Sequence, residues 1–194
     1  MIRRPPRSTQ SRSSAASDVY KRQVQKPLLY SLIEKDSGVT MHWIRNLARL
    51  AVWTCRMSLP TVPEAQPFYR AALRRIDDAE FLLAGEHWTA AIYLAGYGIE
   101  CMLKALIVTA TPNVRRSEVL AEFRGNRGHN YDWLRYQYRQ CGGGPLPGNI
   151  ARCFSFVSTW DTNLRYESRE ALPRDAEDFL KNAAVITQWI QGRL

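Results

Sequence analysis

Residues 90–108, AAIYLAGYGIECMLKALIV, form a long apolar run broken only by Glu100, Lys104 and two glycines. At about 1.5 Å per residue, a helix of this length spans about 28 Å, close to a bilayer core. The two charges oppose a membrane reading. Glu100 and Lys104 stand i,i+4 in the Glu-before-Lys order, so they can pair on one helical face, whereas lone charges in mid-bilayer are costly. Gly96 and Gly98 each cost about 1 kcal/mol of helix propensity relative to alanine, so their presence predicts that another backbone comes very close. The segment therefore reads as a buried core helix. Either it carries a surface ion pair, or Glu100 faces a polar site.

The formal charge of +9 suggests a nucleic-acid or membrane partner. Its distribution removes that inference. Residues 1–56 hold eleven Lys+Arg against three Asp+Glu, whereas 57–194 hold sixteen against fifteen. The first 23 residues are Ser/Arg-rich with too few apolar side chains for a core. Their composition matches an organelle transit peptide, but DVYKRQ at 18–23 resembles the translation of GATGTGTATAAGAGACAG, a transposon end used in sequencing-library adapters. Residues 1–23 are accordingly read as a non-native tail from an assembled gene fragment. Residues 24–56 form an uncertain upstream segment. Within it, Ile44, Leu47, Leu50 and Ala51 alternate with Arg45 and Arg49 as a basic amphipathic pattern. Translated upstream sequence, with native initiation at Met57 or Met41, is the preferred reading, which leaves 57–194 as the folded domain.

From Pro67 onward the periodicity is helical. Phe68, Ala72, Ile76, Ala79 and Leu83 share one face, and Gly85 ends the run. The core helix is expected from about Trp88 to Thr109, stopped before Pro112. A short helix capped by Ser117 should bury Val119, Leu120 and Phe123, and break at Gly125. After the RGNRGHN turn at 124–130 come Tyr131, Leu134 and Tyr138 on one face, then an Asn149-capped helix with Ile150, Cys153, Phe154 and Val157. The last helix starts at Pro173 with an acidic first turn and buries Phe179, Ala183, Ile186 and Ile190. No stretch alternates with period two. The class is all-α, an antiparallel up-and-down bundle of four to five helices, large enough for one core without staples.

Cys55, Cys101, Cys141 and Cys153 show no CxxC pairing, which fits a reduced, cytoplasmic chain. His42, His87 and His129 are scattered, with no HExxH or Cys/His cluster. The GGGPLPG loop at 142–148 lacks the Lys-Ser/Thr of a phosphate-binding P-loop. No metal or cofactor is expected.

The remaining constellation is Arg124, Asn126, Arg127, His129, Asn130 and Tyr131. An arginine offers a planar, permanently charged donor fork to a phosphate, and a histidine near neutral pH can accept a proton from a ribose 2′-OH and return one to the leaving oxygen. The bland alternative is that His129 caps the next helix while Arg124 and Arg127 are solvated.

The run Ala91-Ile92-Tyr93-Leu94-Ala95-Gly96-Tyr97…Glu100…Leu103-Lys104-Ala105 resembles the core helix of the HEPN family, the higher-eukaryote and prokaryote nucleotide-binding helical bundles. The similarity extends from Phe68 to Gln191, through the Gly-His-Asn-Tyr turn and Trp160…Leu164-Arg165-Tyr166. It implies a homodimer, and in many members a metal-independent ribonuclease of toxin-antitoxin or defence systems with an Arg-x4-6-His motif. Arg124, His129 and Tyr131 fit that motif in order and spacing. By the resemblance, Arg124 holds the scissile phosphate of an RNA, Asn126 orients it and His129 is the general acid/base. Tyr131 is then a residue that a partner nucleotidyltransferase antitoxin modifies. Arg165 and Tyr166 are expected to form a second polar pair, Arg165 meeting Glu100 across the core. The resemblance also admits a non-catalytic nucleotide-binding or dimerisation module. No membrane association is expected.

Overall fold

The computed structural model describes residues 59–194, and the expectations for 1–23 and 24–56 lie outside the described residues. Among the described residues six α-helices follow one another: α1 (Gln66–Ala84), α2 (Trp88–Ala110), α3 (Arg116–Glu122), α4 (Tyr131–Gln140), α5 (Gly148–Val157) and α6 (Pro173–Gln191). Short 3-10 turns occur at Pro63–Ala65, Asn113–Arg115, Asn126–His129 and Thr162–Tyr166. No strand occurs among the described residues. The all-α bundle is thus observed, with six helices once the seven-residue α3 is counted.

Helix α1 begins with a proline in its first turn and ends at Gly85. Its buried stripe is Tyr69, Ala72, Ile76 and Ala79. Phe68 and Leu83 are only half-buried, because the stripe is turned toward Tyr69 and leaves Phe68 at its edge, where its ring meets Phe123 edge-on at 5.6 Å. Helix α2 is the hub, packed by α1, α4 and α6 and touched by the Thr162–Tyr166 turn. Between Ile99 and Val108 every residue but Cys101 is buried. A helix enclosed on all sides needs no solvated face, which accounts for its weak amphipathic pattern. It is long and apolar enough to cross a membrane, yet 72% of its most hydrophobic window is buried inside the domain. The N-terminus of α2 is tied to a distant segment. Thr89 N donates to Glu170 Oε1 at 2.7 Å, placing a carboxylate on the positive end of the helix dipole, and Ala171 N donates to Thr89 Oγ1 at 2.7 Å.

Side chains more than backbone fill the space left by the two α2 glycines. A Cβ on Gly96 would overlap the Trp160 indole, and one on Gly98 would press on Ile76 of α1, with the Ala72 carbonyl just beyond. The expected close backbone approach is therefore a pair of sockets, one for a tryptophan and one for an isoleucine. Gly96→Ala should destabilise the domain by about 1–3 kcal/mol through overpacking, since Trp160 is itself buried and stacked. Urea unfolding measures it, and an unchanged midpoint would show that Trp160 can move aside freely.

Two expected caps are absent. Helix α3 starts at Arg116, directly after a 3-10 turn, so Ser117 is already inside it; α5 starts at Gly148 after Pro147, so Asn149 is likewise internal. No side-chain cap forms in either case. Helix α4 is capped as its sequence suggests, but by Asn130 rather than His129: Asn130 Oδ1 accepts from Trp133 N at 2.8 Å. That frees the imidazole for another partner.

Candidate functional site

Glu100 is 2% exposed in the middle of α2. A buried carboxylate requires partners for both oxygens. One turn on, Lys104 Nζ donates to Oε1 at 2.7 Å. The other oxygen, Oε2, lies 2.9 Å from His129 Nδ1. Lys104 is also buried, its ammonium 5.6 Å from the centre of the Phe123 ring. The pair is therefore an interior ion pair and not a surface one.

His129 arrives from the 3-10 turn Asn126–His129, whose path depends on two glycines. Gly125 has φ +81°, a left-handed conformation that side chains disfavour, and a Cβ on Gly128 would overlap the Phe123 carbonyl. These glycines let the chain double back under the end of α3 and bring the imidazole to α2. Because a carboxylate only accepts, Nδ1 must donate to Glu100. In the neutral ring that fixes the tautomer and leaves Nε2 as the lone-pair nitrogen, while the side chain remains 39% exposed.

Aromatic side chains wall this centre. The Tyr97 ring stands edge-on to His129 at 6.1 Å, to Trp160 at 5.2 Å and to Tyr93 at 5.1 Å. Burial, the neighbouring Tyr93 hydroxyl 3.4 Å away and the Glu100 charge push the Tyr97 phenol up to about 12. Tyr131 stacks on Trp160 at 5.2 Å and donates its hydroxyl to Gly96 O at 2.8 Å. Burial, reinforced by the Glu100 charge, holds its phenol well above the usual range. Trp160 Nε1 donates to Tyr93 O at 3.1 Å. Cys101 is likewise pushed up to about 11, first by burial and then by Glu100, which makes its thiol a poor nucleophile near neutral pH.

A cleft of about 170 Å³ opens beside the imidazole, lined by residues including Asn126, His129, Tyr131, Asp132, Trp160 and Asp161. An oriented imidazole on the wall of an open cleft, backed by a buried carboxylate, is the geometry of a general base or acid.

The structure brings Glu100 and His129 together and sets Asn126 and Tyr131 on the same cleft. Arg124 is exposed at the end of the α3 segment and is not among the cleft-lining residues. Tyr131 lies in the core with its hydroxyl satisfied by Gly96, an architectural placement that does not offer it to a modifying partner. Arg165 does not cross the core to Glu100. It is exposed, its guanidinium 4.7 Å from the centre of the Tyr166 ring, because Lys104 on the same helix as Glu100 already supplies the buried cation. Tyr97 and Trp160, which pack around His129 and Tyr131, carry the family resemblance in the sequence but no sequence signal marks them as site residues. The signal for Lys104 lay in the run 99–108, where apolar residues on every face leave no solvated side for a surface pair.

The HEPN domain family model matches residues 65–193. Among solved structures, an archaeal HEPN homologue, ST0689, is similar at 19% identity with a TM-score of 0.44, over 66% of this chain and 95% of that one. No curated protein matches. Glu100, Lys104 and His129 all lie inside the matched residues, and the chain belongs to the HEPN domain family.

Proposed function

We propose that this HEPN domain is a metal-independent endoribonuclease, working as a homodimer in the cytoplasm within a prokaryotic toxin-antitoxin or defence locus, with a nucleotidyltransferase as the candidate antitoxin. The observation that carries this reading is the 2.9 Å contact between His129 Nδ1 and the buried Glu100 carboxylate. It leaves Nε2 to act. In the proposed reaction Nε2 takes the proton of a ribose 2′-OH, and the 2′ oxygen bonds to the adjacent phosphorus. The P–O5′ bond breaks, and the leaving 5′ oxygen takes a proton from the imidazolium. The products are a 2′,3′-cyclic phosphate and a 5′-hydroxyl. Arg124, at the edge of the same turn segment, supplies positive charge to the phosphate, and Asn126 offers an amide from the cleft wall.

The second reading is a non-catalytic nucleotide-binding or dimerisation module. It is favoured by one observation: the cleft carries Asp132 and Asp161, while Arg124 lies outside its lining. Incubating the protein with single-stranded RNA in EDTA and analysing product ends separates the two. Cyclic phosphate ends support cleavage by this route. RNA binding without cleavage supports the module, and cleavage that appears only when a divalent cation is restored contradicts the metal-free route.

A further inference from the structure

Tyr166 is 74% exposed although it closes a well-anchored turn. That turn, Thr162–Tyr166, starts at Asp161, whose Oδ1 accepts from Asn163 N at 2.6 Å. It directly follows Trp160, which is buried against Tyr131 and hydrogen-bonded to the α2 backbone. The exposed ring is thus presented from a fixed base. Above it lies the Arg165 guanidinium, 4.7 Å from the ring centre and close enough for its charge to act on the Tyr97 hydroxyl. Tyr97 in turn meets Tyr93, hydroxyl to hydroxyl at 3.4 Å, and the His129 ring at 6.1 Å. Aromatic rings thus run from the imidazole through Tyr97 to Tyr93, and the charge of Arg165 beside Tyr166 reaches the same cluster.

We propose that Arg165 and Tyr166 form a subsite for a nucleotide flanking the phosphate at His129, with Arg165 on a backbone phosphate and the base stacked on Tyr166. This rests on the ribonuclease reading and extends it to a substrate class, unpaired RNA. Aromatic stacking tolerates any base but needs a base that is free of its partner, whereas a duplex keeps its bases stacked inside. The guanidinium adds charge that a backbone phosphate meets and a bare tyrosine lacks. No contact in this pair requires a particular base, so the subsite selects strandedness and not sequence.

The test is fluorescence anisotropy of a labelled twelve-nucleotide RNA on the full chain, carried in a His129→Ala background so that substrate is not consumed. Tyr166→Ala and Arg165→Ala should each weaken binding about tenfold, with Tyr166→Phe close to the parent. The same sequence as a duplex should bind about tenfold more weakly than the single strand. Equal affinities for Tyr166→Ala and its parent, or for duplex and single strand, would overturn the subsite. If that happens while His129→Ala alone still abolishes cleavage, the ribonuclease reading survives without it. Absence of both binding and cleavage in the unsubstituted protein removes both.

Discussion

Replacing Glu100 by alanine should destabilise the domain by about 3–5 kcal/mol, because it leaves the Lys104 ammonium inside the core without a counter-charge. Against a typical total of about 5–15 kcal/mol this is a large share. The Phe123 ring, 5.6 Å from Nζ, offers only partial compensation. The double change Glu100→Leu with Lys104→Met should recover most of the loss, since a well-packed apolar pair commonly equals or exceeds a buried ion pair. Urea unfolding of the single and double variants checks both. A single variant within about 1 kcal/mol of the parent would mean that Lys104 escapes to solvent. The double variant also separates two roles of Glu100. It restores the core but gives His129 no acceptor, so the proposed cleavage should remain impaired in a well-folded protein.

The second large effect is chemical. His129→Ala should lower RNA cleavage by about 10²–10⁴-fold, the usual range for losing a general acid or base, while leaving stability within about 1 kcal/mol. The stability expectation follows from its place on the wall of an open cleft, where water can take over the hydrogen bond to Glu100 Oε2. Initial rates under substrate saturation and an unfolding curve on the same preparation give both numbers. A large loss of stability would mark the imidazole as a structural strut.

Much of the fold was legible because its determinants are local. Pro67 and Gly85 bracket α1, Asp132 sits in the first turn of α4, and Pro173 opens α6, each a signal carried by one residue and its neighbours. The α2 glycines showed that something comes close, but what fills them depends on Trp160 and Ile76, which are distant in sequence. The site was legible to the same degree. Glu100 and His129 could be singled out by residue type, yet their pairing is made by the glycine turn at 125–128 passing beneath Phe123. The predicted meeting of Arg165 with Glu100 failed for the same reason in reverse. A cation four residues away on the same helix reaches the carboxylate with far less ordering than one sixty-five residues away.

If His129, oriented by Glu100, cleaves RNA through the ribose 2′-OH without a metal, the 2′-OH at the cut site is indispensable. The decisive measurement follows one single-stranded RNA and its counterpart with a single 2′-deoxy nucleotide at the cut site, both in EDTA, with the unsubstituted protein and His129→Ala. The expected result is cleavage of the all-ribose strand alone, by the unsubstituted protein alone, leaving a cyclic phosphate. Cleavage of the deoxy strand at the same bond, or an undiminished rate with His129→Ala, would contradict it.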